Sequence, residues 1–360
     1  MESKNEADIY LENISKTFGV IVAVQNLTLE VKKGEFLTLL GPSGSGKTTT
    51  LRIIGGFETP TEGNVYIQGT LANDLPPNKR VTRTVFQDYA LFPHMTVGEN
   101  IEYGLKFQGY SKVERKDKAM KALESVDLKG LYERKIKTLS GGQKQRISLA
   151  RALVTQPPIL LLDEPLGSLD EKLRERMQAE LKSLHHRLGI TFIAVTHNQE
   201  EALSMSDRVA IINMGRLEQI ASPKELYDKP QSEFVADFIG AANIIRGTII
   251  EDETAMQMLI SNGIEFHIPK TVELQQGENT ILVVRPERIG IGEKKYKNSF
   301  NVTLKNILYK GMCYELIVSL DNGQEMRVIT GDRSPVDANS YGKKIWIGWD
   351  EADTIVLKGE

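Results

Sequence analysis

The sequence has 360 residues, 40% hydrophobic and 26% charged, with a formal net charge of −3. That length allows two domains with separate cores, and the slightly acidic balance leaves no bulk attraction for nucleic acid or an anionic membrane. The single cysteine, Cys313, excludes an internal disulfide and fits a reducing compartment.

The first residues, MESKNEADIY, are charged and lack the apolar run of a secretory signal. No stretch approaches the roughly 18 apolar residues of a membrane span. A cytoplasmic chain is expected, whose membrane work is done through a partner. To about residue 240, short β-rich runs (DIYLENISKTF, LTLEVKKGEFLTLL, NVYIQG, ITFIAVTH, RVAIINMG) alternate with helical ones such as EEALSM. This predicts an α/β domain with a mostly parallel core sheet.

The run EFLTLL is followed at once by GPSGSGKTTT, residues 41–50. Its glycines free the backbone to turn successive N–H groups inward, a concavity that suits phosphate. The spacing Gly41-x-x-x-x-Gly46-Lys47-Thr48 fits a P-loop between a strand and a helix whose positive end faces the phosphates. Gly41, Pro42, Ser43, Gly44, Ser45, Gly46, Lys47, Thr48 and Thr49 are therefore the expected ATP cradle. Lys47 would reach the β- and γ-phosphates, and Thr48 would bind Mg²⁺.

The charged stretch SKVERKDKAMKALESVDLKGLYERKIKTL has apolar residues at helical spacing and predicts a solvated helical subdomain. In LSGGQKQRISLARAL, Ser140-x-x-Gln143 is a capping box. Gly141 and Gly142 go beyond it and would let a second phosphate approach a helix N-terminus. PPILLLDEP reads as a buried strand, Ile159 to Leu162, carrying the acids Asp163 and Glu164 just past its end. Asp163 would hold Mg²⁺, and Glu164 would orient and polarise the attacking water.

From about residue 242 the chain becomes a series of short strands, a second, all-β domain that fits a small OB-type barrel. In CYELIVSLDNGQEMRVI, the apolar set Tyr314, Leu316, Val318 and Leu320 alternates with the more polar Glu315, Ile317, Ser319 and Asp321. Asn322-Gly323 supplies the turn of a hairpin.

With these residues in place, LSGGQ resembles the signature of the ABC (ATP-binding-cassette) ATPases, and the other family motifs follow in order. Gln87 in TVFQDYALFP resembles the Q-loop glutamine, which contributes to nucleotide and Mg²⁺. GSLD with Asp170 resembles the D-loop, departing mildly at Gly167-Ser168, and His197 in AVTHNQEEA resembles the switch histidine. Phe18 matches the adenine-stacking aromatic, the other reading being a strand-core side chain. The implied fold is a P-loop ABC ATPase domain with helical subdomain over 1–240 and an OB-like β domain over 241–360. The resemblance further implies a homodimer sandwiching two ATP molecules, each between one chain's P-loop and the other's signature.

Among ABC proteins the chain looks most like importer ATPases with a transport-associated OB domain, and within these the polyamine (spermidine/putrescine) importers; sugar or ferric-iron importers are the alternative. Two transmembrane permease subunits, a solute-binding protein acting indirectly and a place on the cytoplasmic face of the membrane follow, with no nucleic-acid partner. Tyr89, Leu91, Phe92 and Met95 would form the groove for a permease helix, against the alternative of core packing. DNA-maintenance ABC ATPases carry a long coiled coil between P-loop and signature, and translation-associated ones carry two cassettes. This chain has neither.

Overall fold

A computed structural model of the chain describes residues 7–167, 169–251, 257–269, 274–292, 296–331 and 340–359. Ser168 lies outside the described residues, as do the first six of the N-terminal stretch. The chain divides into two compact units, Met1–Lys224 and Glu225–Glu360.

In chain order the first unit contains β1 Ala7–Phe18, β2 Ile21–Lys32, β3 Phe36–Leu40, α1 Lys47–Gly55, β4 Glu62–Ile67, β5 Thr70–Leu71, β6 Thr82–Val85, α2 Val97–Glu102, α3 Lys112–Ser125, α4 Gly141–Leu153, β7 Ile159–Asp163, α5 Glu171–Leu188, β8 Thr191–Thr196, α6 Gln199–Met205, β9 Arg208–Asn213 and β10 Arg216–Ala221. Six strands form one sheet in the order β10-β9-β3-β8-β7-β6. Every pair in it is parallel except β9 with β10. The runs FLTLL, ILLL and TFIAVT are buried throughout, as strands covered on both faces must be.

The remaining early strands do not join that sheet. They make a separate antiparallel one, β2-β1-β4-β5, in which β2 alternates between buried and more exposed positions and β1 buries Ile9, Leu11 and Ile14 but is exposed towards its end. An alternating strand such as β2 carries only one apolar face, so it lines one side of the core and leaves the other wet.

The register of the parallel sheet positions the site. Val85 pairs with Leu162, Asp163 with Val195, and Leu40 with Thr196. The residues that follow these rungs, Gly41, Gln87, Glu164 and His197, therefore emerge from one edge, the carboxyl ends of the strands. Helices α2, α3 and α4 contribute Ile101, Leu123, Ile147 and Ala150 to the cluster that also holds Leu160 and Leu162. Thr96 with Glu99 and Ser111 with Glu114 form reciprocal capping boxes on α2 and α3.

The second helix pair, α7 Pro223–Asp228 and α8 Glu233–Phe238, precedes ten strands. These are β11 Asn243–Glu251, β12 Gln257–Ser261, β13 Ile264–His267, β14 Asn279–Val284, β15 Gly290–Ile291, β16 Asn298–Tyr309, β17 Cys313–Ser319, β18 Glu325–Gly331, β19 Lys344–Trp349 and β20 Thr354–Lys358. They form two antiparallel five-stranded sheets, β13-β12-β11-β14-β20 and β15-β19-β16-β17-β18, around a core that includes the fully buried Trp349 and Phe266. Asn243 links the sheets by mimicking a strand: its amide donates to Arg327 O (2.8 Å) and its Oδ1 accepts from Arg327 N–H (2.7 Å).

Arg285, just after β14, is 3% exposed. Its guanidinium donates to the carbonyls of Tyr227, Ala236 and Ala241 and lies 4.0 Å from the Tyr227 ring centroid. Ala236 also packs with Ile281, Val283 and Leu357. Residues 225–240, read from sequence with the first domain, are thus held here by the β unit.

The predicted hairpin is β17–β18, running from Cys313↔Gly331 to Ser319↔Glu325, with Gly323 at φ 87° in the turn. Leu316, Val318 and Leu320 are buried as the alternation implies, but so is Glu315 on the other face. Lys310 (2.5 Å) and Arg327 (3.9 Å) offset its charge there.

Candidate functional site

The loop between β3 and α1 lies tight against its surroundings. A Cβ at Gly41 would fall 2.0 Å from Ile212 O, and one at Gly46, whose φ is +100°, would fall 2.3 Å from Ala23 O. Only glycine fits either position. Ser45 and Gly46 are buried and Pro42 and Thr49 half-buried, while Ser43, Gly44 and Thr48 face solvent. The Lys47 ammonium is buried and donates to the carbonyls of Gly41 (2.8 Å) and Pro42 (2.7 Å). Burial pulls its pKa below the ordinary lysine value, and the Glu164 charge acts the other way. A desolvated cation beside a glycine-rich loop at a helix N-terminus is chemically suited to a polyanion.

At the end of β7, Glu164 has φ +45°, uncommon for a residue with a side chain. Its N–H donates to Val195 O (3.0 Å), which ties the bend to β8. Both carboxylate oxygens are engaged: Gln87 Nε2 donates to Oε2 (3.0 Å), and His197 Nδ1 lies 3.2 Å from Oε1. The adjacent Asp163 accepts from Thr48 Oγ1 at 3.4 Å. Burial and the Glu164 charge push the Asp163 carboxyl up, against the Thr48 hydrogen bond and the Arg52 charge. Gln87, Thr48, Asp163, Glu164 and His197 therefore meet, although 149 positions separate the ends of this set in sequence (197 − 48).

The signature segment stands apart from that cluster. Ser140 caps α4: its Oγ accepts from Gln143 N–H (3.3 Å), and Gln143 Oε1 accepts from Ser140 N–H (3.1 Å). The next amides, of Gly141 and Gly142, head a helix and have no intrahelical acceptor. Among the described residues no hydrogen bond joins 140–143 to 41–48. Asp170 caps α5, its Oδ1 accepting from Leu173 N–H (3.0 Å). Phe18 ends β1 at 45% exposed, with the Lys16 ammonium 4.8 Å from its ring centroid; it is not a core side chain.

Leu91 packs against the core, whereas the Phe92 ring lies 4.6 Å from Tyr103, which lies 5.5 Å from Phe107. Phe107, 77% exposed, lines a groove of about 700 Å³ together with Phe57 and Phe86. Sequence reasoning missed Phe57 and Phe107. Each sits alone among polar or small neighbours, and only the fold gathers them.

A family model described as ABC transporter matches residues 24–167, and one described as TOBE domain matches residues 282–357. The chain is 44% identical over 98% of its length to the spermidine/putrescine import ATP-binding protein PotA of Rubrobacter xylanophilus, covering 94% of that protein. It is 46% identical over 97% of its length to the protein of the same name from Acetivibrio thermocellus (96% covered), and 45% over 98% to that of Vibrio cholerae (95% covered).

Among solved structures, a dimeric ATP-binding cassette in a post-hydrolysis state with ADP and Pi is 38% identical at a TM-score of 0.55, covering 60% of this chain and 98% of that one. The cassette cbiO1 from Clostridium perfringens, part of a cbiONQ transporter complex, is 26% identical at a TM-score of 0.57, covering 61% and 90%. With near-full-length relatives far above the level at which a shared fold could be accidental, the chain belongs to the ATP-binding, ATP-hydrolysing proteins of ABC transporters and carries a TOBE domain of OB type.

Proposed function

We propose that the chain energises polyamine import: two copies close on two Mg²⁺-ATP, beneath two permease subunits that receive spermidine or putrescine from a solute-binding protein. The observation that carries the cargo is that relatives named for spermidine/putrescine import align over both units, not over the ATPase unit alone. The 77% exposed Phe107 and the groove it lines with Phe57 and Phe86 suit a permease helix, because aromatic side chains gathered at a surface and rimmed by polar ones such as Asn78, Arg83 and Gln108 mark an interaction site. No helix among the described residues is long and apolar enough to cross a membrane, in keeping with a peripheral place on its cytoplasmic face.

The residues present fit Mg²⁺. Thr48 Oγ1 and Asp163 Oδ1 converge as hard oxygen donors, and Gln87, whose amide nitrogen is held by Glu164, can add its amide oxygen. Bound there, the ion neutralises phosphate charge. Lys47 exchanges the Gly41 and Pro42 carbonyls for β- and γ-phosphate oxygens, while the amides of Gly44, Ser45, Gly46 and Thr49 line the cradle. Phe18 stacks on adenine.

Glu164 takes the proton of the attacking water as general base, oriented by Gln87 and His197. Ser140, Gly141, Gly142 and Gln143 of one copy close on the γ-phosphate held by the other, and Asp170 lies at that junction.

The test is the ATPase rate of the full chain reconstituted with its permease and solute-binding subunits. Spermidine or putrescine should stimulate it, and a sugar or ferric iron should not. Stimulation by sugar or iron alone would refute the polyamine assignment.

A further inference from the structure

Behind the site lies a buried carboxylate that neither the motifs nor the chemistry above uses. Glu201, in α6, is 2% exposed. Its N–H donates to Asn198 Oδ1 (3.1 Å), so Asn198 caps the helix. In a reciprocal capping box the Glu side chain would return to the cap's own N–H. Here a hydroxyl intervenes. Asn198 N–H donates to Thr196 Oγ1 (3.0 Å), and Thr196 Oγ1 donates to Glu201 Oε2 (2.7 Å). The relay completes the cap and engages only one carboxylate oxygen.

The other oxygen, Oε1, faces Arg174 Nε of α5 at 3.5 Å, the one ion pair of Glu201 among the described residues. That Nε is buried and has no hydrogen-bond partner. Through Nη2 the same guanidinium donates to Leu169 O (2.8 Å), immediately before Asp170. This pair of a buried carboxylate and a half-buried guanidinium thus ties the Leu169–Asp170 loop to Thr196, the residue before His197. Capping does not account for the charge, since a neutral Gln could accept from Thr196 equally well. Burial itself pushes the Glu201 carboxyl up, opposed by the Thr196 hydrogen bond and the charges of Arg174 and His197, so the pair is kept against a desolvation cost.

We infer that Glu201 and Arg174 are positioning residues that lock the loop bearing Asp170 to the strand end bearing His197, so that the imidazole beside Glu164 is set only when the dimer-facing loop is in place. The inference rests on the proposed reading of the ATP site. The pair touches neither nucleotide nor water and acts through His197.

The test measures kcat and KM for ATP with the purified full chain carrying Glu201→Gln, Arg174→Met, His197→Ala and the pairwise combinations, each checked for its melting temperature. Glu201→Gln should lower kcat by about 10-fold at nearly unchanged KM, within the range of coupling effects of this kind. Adding Arg174→Met or His197→Ala should cost little more than the worse single change, because all three act through one arrangement. Arg174→Met, on the more exposed partner, serves if Glu201→Gln fails to fold. A wild-type kcat in both Glu201→Gln and Arg174→Met, beside an impaired His197→Ala, would overturn the positioning role alone. Full additivity with His197→Ala would do the same. A wild-type rate in His197→Ala would overturn the reading of the site and the inference with it.

Discussion

Two glycines of the phosphate loop, replaced by alanine in turn, separate the conformational demand of the cradle from its packing demand. Gly44 and Gly46 both hold positive φ, +78° and +100°. A Cβ on Gly44 meets nothing within 4 Å, whereas one on Gly46 would sit 2.3 Å from the Ala23 carbonyl of β2. Gly44→Ala therefore carries only the left-handed backbone cost, about 1–2 kcal/mol. Gly46→Ala adds overpacking of about 1–3 kcal/mol, for about 2–5 kcal/mol in all.

The Ala23 carbonyl is main chain, at the point where β2 skips a rung against β1, so it can yield only by a backbone shift, and the strain falls chiefly on the loop and on Lys47, the next residue. If it is relieved by leaving the phosphate-binding shape, ATP affinity falls roughly 5- to 30-fold in Gly44→Ala and roughly 30-fold to a few thousand-fold in Gly46→Ala. Titration with a fluorescent ATP analogue and Mg²⁺ gives both affinities, and thermal melting shows whether the fold survives. Equal affinities, or a weaker Gly44→Ala, would refute the steric reasoning.

Glu164→Gln should retain ATP binding and lose about 10²–10⁴-fold in turnover, as for a positioned general base; near-wild-type hydrolysis would reject that role. His185, 5% exposed with Nε2 3.1 Å from Gly34 O, has its pKa lowered from 6.5 by burial. The unfolded chain therefore binds the proton more readily, and stability should decline as pH falls below 6.5 towards the folded-state value. Denaturant titrations of wild type and His185→Gln across pH 5–7 check this, the variant showing the shallower slope. In a Glu164→Gln background, chains carrying Lys47→Ala and Ser140→Arg should each fail to trap ATP alone. Mixed, they should trap up to one ATP per heterodimer; full trapping by the Ser140→Arg homodimer would show that Ser140 does not act on the partner's nucleotide.

Much of the candidate site was legible because the proposed chemistry needs residue types that stand out in a sequence: clustered glycines before a lysine, acids after an apolar run, a serine directly before paired glycines. The strand register then does the assembly, and β3, β7 and β8 announce themselves as short, mainly apolar runs. What stayed hidden depends on side chains that are ordinary one at a time. Glu201 reads as one more acid in a helix, Arg174 as one more surface cation, and Thr196 as a strand residue. Only the α5–α6 packing makes them a chain of contacts. The antiparallel sheet of β1, β2, β4 and β5 was hidden for another reason: strand patterns report burial, not which sheet a strand joins. Glu315 misled because alternation predicts a wet face and takes no account of Lys310 and Arg327 arriving to neutralise it.

The Arg285 clasp bears on how such proteins can be recombined. A chimera joined at residue 240 would give the helices of 225–240 to one parent and the guanidinium that collects their carbonyls to the other. Any mismatch in those helices would strand a buried cation whose acceptors are all main-chain carbonyls, and a buried charge without partners is among the costliest defects a domain can carry. A seam just before Pro223, where α7 starts, keeps lock and key within one parent. Such β units should therefore be exchangeable between relatives as pieces that begin at Pro223, bringing α7 and α8 whole with them.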